Sequence, residues 1–99
     1  MAISMRIMLE VLGGPLDGYV FQFNKRVQIG REGDVALSVD RFVSRHHAVL
    51  EPTAGGVILE DKGSTNGTFV DGERLYGSVA LKNGQEFIIG RTWLHISWS

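Results

Sequence analysis

Through most of this chain apolar residues recur at every second position, in short runs separated by glycine, proline, asparagine or aspartate. Ile7, Leu9 and Val11 alternate with Met8, Glu10 and Leu12 until Gly13-Gly14-Pro15 stops the run, which predicts a first strand. After a turn through Asp17-Gly18, Tyr19, Phe21 and Phe23 alternate with Val20, Gln22 and Asn24, a second strand paired to the first. Lys25-Arg26 breaks that run. Val27 and Ile29 begin a third strand ending at Gly30-Arg31, and Glu32-Gly33-Asp34 turns the chain into Val35-Ala36-Leu37. Ser38 to Arg45 has no period and reads as a loop. Strand character returns from His46 to Leu50, Pro52 to Gly56 turns the chain, and Val57-Ile58-Leu59 is a buried strand. Beyond Asp61–Thr68 the pattern predicts short strands at Phe69-Val70, Arg74-Leu75, Val79 to Leu81, Phe87-Ile88-Ile89 and Trp93 to Trp98. Turns fall at Asp71-Gly72 and Asn83-Gly84.

No stretch carries a helical period, so the fold class is all-β, and the close spacing of short strands points to an antiparallel β-sandwich or barrel. The expected core is Leu9, Val11, Phe21, Ile29, Leu37, Ala48, Leu50, Ile58, Phe69, Leu81, Phe87, Ile89 and Leu94. With neither linker, repeat nor low-complexity tract, residues 1–99 read as one domain.

Composition narrows the function classes. A balance of 43% hydrophobic and 21% charged residues is that of a folded globular chain. The net charge of −1 supplies no global field for nucleic acid or an anionic membrane, so any anion must be held by a local cluster. Without cysteine there is no disulfide, thiol nucleophile or thiolate metal site, and a reducing cytoplasm is the expected setting. The opening Met1 to Arg6 lacks the basic region of a secretory leader, and no long apolar run follows.

The densest cluster of turn formers and hydroxyls lies at Asp61-Lys-Gly-Ser-Thr-Asn-Gly-Thr68. Asn66-Gly67 alone would make a plain type I′ hairpin turn. The same stretch also has the make-up of a binding loop, since Gly63 and Gly67 permit positive φ and Ser64, Thr65 and Thr68 offer hydroxyls. Gly30-Arg31, Arg41 and Ser44-Arg45-His46-His47 also fall at strand ends or in loops. If these loops meet, they gather guanidinium groups, hydroxyls, exposed turn N–H groups and the Asn66 amide, an inventory suited to phosphate.

In order and spacing, Gly30-Arg31, Ser44-Arg45-His46-His47 and Gly63-Ser64-Thr65-Asn66-Gly67-Thr68 resemble the signature of the forkhead-associated (FHA) domain. Val70, Gly72, Leu75, Leu81, Gly84, Phe87 and Gly90 fall where that family has apolar and glycine positions. The resemblance implies an eleven-stranded antiparallel β-sandwich that binds phosphothreonine peptides through loops at one end, in signalling. It implies that Arg31, Ser44, Arg45 and Thr65 contact the phosphate and that Asn66 grips the peptide main chain. Gly30, His47 and Gly67 would shape the site. The resemblance also places peptide contacts about three residues beyond the phosphothreonine, for which loop residues Arg41 and Lys62 are the candidates. The partner would be a phosphorylated protein or peptide, met as a monomer or within a larger assembly.

Other classes fit less well. Ser44, His47 and Asp61 supply the residue types of a hydrolytic triad but no Gly-x-Ser-x-Gly elbow, and no enzyme is expected. Gly63 to Thr68 lacks the Gly-Lys-Ser/Thr ending of a nucleotide-binding loop, so no cofactor is expected. His46 and His47 are adjacent in a strand and point to opposite faces, which denies them a common metal. The remaining alternative is a phosphate-independent interaction domain using the sandwich faces, with Trp93, Trp98 and Tyr76 as its exposed candidates.

Overall fold

The computed structural model describes residues 5–99. Of the opening stretch, only Met5 and Arg6 lie within it. Eleven strands follow in chain order: β1 (Ile7–Leu12), β2 (Val20–Phe23), β3 (Val27–Gly30), β4 (Val35–Ala36), β5 (Ala48–Thr53), β6 (Gly56–Asp61), β7 (Thr68–Val70), β8 (Glu73–Arg74), β9 (Ser78–Leu81), β10 (Glu86–Ile89) and β11 (Thr92–Trp98). They form a six-stranded sheet in the order β2-β1-β11-β10-β7-β8 and a five-stranded sheet in the order β4-β3-β5-β6-β9. The all-β sandwich expected from the period-two pattern is the fold observed. Among the described residues no helix is long and apolar enough to cross a membrane.

One core lies between the sheets, and every strand except β8, whose Glu73 and Arg74 are exposed, contributes side chains to it, among them Ile7, Leu9 and Val11 from β1 and Leu94 and Ile96 from β11. The expected core was right for most strands and shifted by one residue on β6. Val57 and Leu59 are buried there and Ile58 faces outward. Phe69 also lies outside the buried core, whereas its neighbour Val70 packs against it. A run of three apolar residues leaves both parities open, and the cross-strand register decides between them.

Two further details depart from the expected pattern. The ladders are antiparallel except β3–β4, which is parallel, pairing Ile29 with Val35 and Gly30 with Ala36. The chain first doubles back along β3, where the Gln28 N–H donates to the Asp34 carboxylate at 2.9 Å. Gly33 lies so close to the Gln28 carbonyl that a Cβ would stand 2.7 Å from it. The chain then runs forward again beside β3, which makes that pair parallel. Second, Pro52 lies inside β5 rather than in the turn. Pairing with β3 ends at Leu50, so Pro52 has β6 as its only ladder neighbour, and a proline is tolerated on such a half-open stretch.

Candidate functional site

Three loops converge at one end of the sandwich: Arg31–Asp34 after β3, Leu37–His47 between β4 and β5, and Lys62–Gly67 between β6 and β7. Main-chain bonds join the first two, from the Arg31 N–H to Ser44 O (3.1 Å) and from the Glu32 N–H to Arg45 O (3.3 Å). Gly30 is required at this seam, because a Cβ there would stand 2.1 Å from the Arg45 carbonyl oxygen. The Thr65 N–H donates to Ser44 Oγ at 3.1 Å and the Asn66 amide donates to Phe42 O at 3.0 Å, which joins the second loop to the third.

His47 stands behind all of this, fully buried. The Ser44 N–H donates to its Nδ1 at 3.0 Å, so that nitrogen carries no proton and Nε2 does. Nε2 then donates to Gly67 O at 2.9 Å. Gly67 itself has φ +96°, a conformation suited to glycine, and its N–H donates to Ser64 Oγ. Burial holds the His47 pKa below its ordinary value, against the opposing pull of the Gly67 bond and the Asp61 charge. His47 is therefore neutral and bonded to backbone on both sides.

The third loop is folded around Asp61. Its carboxylate accepts from Ser64 Oγ (2.6 Å), Thr68 Oγ1 (2.8 Å) and the N–H groups of Gly63 (2.9 Å) and Ser64 (3.0 Å). Partial burial raises the Asp61 pKa, but those donors outweigh it and hold the carboxyl below its usual value. Of the loop hydroxyls, Ser64 and Thr68 are consumed in this way, and Thr65 stays exposed. Arg74 of β8 adds a brace, donating to Ser64 O at 3.2 Å and reaching Thr65 O at 3.5 Å. Sequence reasoning missed Arg74, and it weighed Asp61 only as a triad member. Asp-x-x-Ser followed by Thr was the one available sign that Asp61 organises the turn.

Both titrations act in the same direction on stability. The unfolded chain takes up protons at His47 near pH 6.5 and at Asp61 near pH 4, where the folded chain does not. Stability is therefore complete above about pH 7 and falls as pH drops through about 6.5, then again below about 4. Thermal melting from pH 8 to pH 3 is expected to show this decline, and a pH-independent midpoint between 7.5 and 5 would remove the His47 share of it.

With the scaffold fixed, the exposed groups are Arg31, Arg45, Thr65 and Asn66, with Ser44 half-buried among them. Arg31 forms no ion pair among the described residues. Both neighbouring carboxylates are engaged, since Glu32 pairs with Arg45 (3.1 Å) and Asp34 is bonded to Gln28. The Ser44 hydroxyl accepts from Thr65 and retains its own proton to donate. Asn66 is anchored through one N–H, and its carbonyl oxygen has no hydrogen-bond partner among the described residues.

A triad is not assembled. Both ring nitrogens of His47 are spent on backbone partners, and Asp61 lies 4.0 Å from Nε2 rather than beside Nδ1. His47 is buried and His46 exposed, so the pair shares no ligand, and no metal-binding group of side chains occurs among the described residues. Arg41 and Lys62 line different hollows. Arg41 borders one of about 490 Å³ with Phe42, Arg91 and Trp93, where the Arg91 guanidinium stacks on the Phe42 ring at 3.8 Å. Lys62 pairs with Glu60 (3.6 Å) and borders a smaller one with Arg26 and His46.

The FHA domain family model matches residues 27–90. The chain belongs to the FHA family. It is 36% identical over 74 residues to the FHA domain-containing protein FhaB of Mycolicibacterium smegmatis, covering 74% of this chain and 48% of FhaB. The FHA domain thus spans about half the length of that relative. The FHA domain of the CT664 protein of Chlamydia trachomatis superposes with a TM-score of 0.85 at 28% identity, covering 93% of this chain and 96% of that one. EmbR of Mycobacterium tuberculosis, in complex with a low-affinity phosphopeptide, superposes at 0.83 and 27% identity, covering 93% of this chain and 24% of EmbR.

Proposed function

We propose that this FHA domain is a phosphothreonine-dependent interaction module that holds a phosphorylated peptide across the three converging loops. The observation that carries the reading is Arg31, an exposed guanidinium without an ion-pair partner among the described residues, fixed at its backbone to Ser44. Arg31 supplies a planar fork for a phosphate dianion, Ser44 and Thr65 add single donors, and Arg45 adds a second guanidinium once it leaves Glu32. The Asn66 carbonyl oxygen accepts from the peptide main chain. Gly30, His47 and Gly67 give the loops their shape. Residues 1–99 act as one binding unit, in a cytoplasmic setting, without catalysis. The phosphopeptide in the EmbR structure supports the assignment of ligand class.

Titration of a phosphothreonine peptide library against unphosphorylated, phosphoserine and phosphotyrosine counterparts tests this reading. Only phosphothreonine peptides are expected to bind well, and indifference to phosphorylation would reject it. Discrimination against phosphoserine rests on one methyl group in an apolar niche by the Thr65–Thr68 turn. That contact is worth about 1 kcal/mol, rising to about 3 in a well-formed pocket, or roughly five- to a hundred-fold. Matched peptides in calorimetry measure it, and equal affinities would remove the niche while leaving the phosphate site.

Flanking residues of the peptide are read by Arg41 and Lys62, giving an acidic preference about three residues after the phosphothreonine. Arg41 has the support of Arg91 beside it. Glu32 acts in the opposite direction, since a phosphate must displace it from Arg45 and then endure its charge. Like charges within about 5 Å cost roughly 1 kcal/mol in water. Glu32→Gln is expected to bind phosphopeptide several-fold more tightly at low salt, with the gain fading as salt rises. A weaker-binding Glu32→Gln variant would mean that Glu32 positions Arg45 productively.

A further inference from the structure

The outer face of the six-stranded sheet carries an ordered pattern that the loop site leaves unused. On β11, Leu94 and Ile96 enter the core, so Trp93 and His95 point outward, and Trp93 is 50% exposed. The register sets Trp93 opposite Leu12 of β1 and Ile88 of β10, and Ile88 opposite Phe69 of β7. These four apolar side chains form one row across four strands spaced about 4.8 Å apart. About 7 Å further along the strands runs a second row, with Glu10, His95 and Glu86 in register. A hollow of about 530 Å³ opens beside the apolar row, lined by Phe69, Ile88 and Trp93 and bordered by Asp71, Glu86 and Lys82.

Charge sets this face apart from the opposite one. On the five-stranded sheet the carboxylates are matched, Glu51 with Arg26 and Glu60 with Lys62. Glu10 and Glu86 have no ion-pair partner among the described residues. Arg74, at the end of the apolar row, is committed to the Ser64 and Thr65 carbonyls. The face is thus apolar along one row and anionic along the next.

We propose that this face docks a basic amphipathic helix of another protein, its apolar side on the Trp93 row and its lysines or arginines on Glu10 and Glu86. A helix about 10 Å wide covers both rows, and its turns recur about every 5.4 Å, close to the strand spacing, so its apolar residues step from strand to strand. An extended partner is disfavoured, since the backbones of β1, β11 and β10 already have strand neighbours on both sides. Trp93 is the anchor, a large exposed aromatic beside a hollow.

The test is a titration of the domain with a synthetic amphipathic helix of leucine and lysine, followed by amide NMR, with a leucine-glutamate helix as control. Shifts are expected at Leu12, Ile88, Trp93 and His95, with little binding of the glutamate helix. Trp93→Ala and the double variant Glu10→Gln/Glu86→Gln are expected to weaken binding about tenfold or more. Both alter exposed side chains, and circular dichroism verifies that they fold. Glu51→Gln on the opposite face is expected to leave the affinity for the leucine-lysine helix unchanged. Equal binding of both helices, unchanged affinity of the Trp93 variant, or shifts confined to other surfaces would each overturn the proposal. So would burial of Trp93 by self-association of the domain, seen in sedimentation as a concentration-dependent dimer.

Discussion

Replacing Arg31 by alanine is expected to abolish measurable phosphopeptide binding while leaving the fold intact. The fold survives because the side chain is exposed and bonds none of the described residues, while its backbone N–H, which holds Ser44 O, remains in alanine. Binding fails because the deleted guanidinium stands at the convergence without a competing carboxylate among the described residues. A charge-assisted fork onto a desolvated phosphate contributes about 2–5 kcal/mol, and its loss weakens binding by roughly thirty-fold to several thousand-fold. Arg31→Lys keeps the charge and loses the planar fork, so it is expected to fall between the two. Calorimetry with thermal melting separates the effects. Binding of Arg31→Ala within a factor of two of the parent would place the phosphate elsewhere.

His47→Ala is expected to lower stability most among the site variants, by about 3 kcal/mol or more. Two costs combine. The missing ring leaves a void where the side chain was wholly buried, and it leaves the Ser44 N–H and the Gly67 carbonyl without partners, each unpaired group costing about 1–3 kcal/mol. Affinity falls with stability, because the same bonds hold the second loop against the third. His47→Gln can restore one of them, so it is expected to recover part of the melting temperature and to lose the acid sensitivity between pH 7 and 5. An unchanged melting temperature in His47→Ala would show that the loops hold each other without it.

Much of this architecture was legible in the residues, and the exceptions have physical causes. Strands such as β1 and β11 declared themselves because one face is buried and the other wet. The parity of Val57-Ile58-Leu59 did not, since three consecutive apolar residues satisfy either facing and only the register with β5 and β9 settles it. The parallel β3–β4 pair was hidden because it depends on Asp34 reaching back to Gln28. In the candidate site, the loops carrying Arg31, Ser44 and Asn66 do converge as their chemistry suggested. What stayed hidden were the contacts made within the site. Nothing in the types of Glu32 and Arg45 says that they pair with each other, and nothing in Arg74 says that it braces a loop ten residues earlier.

The most direct test of the central reading is amide NMR mapping of the domain titrated with one tight-binding phosphothreonine peptide and its unphosphorylated twin. The expected result is large shifts at Arg31, Ser44, Arg45, Thr65 and Asn66 with the phosphorylated peptide and none with its twin. Shifts centred on the Trp93 row, or the same shifts with both peptides, would contradict it.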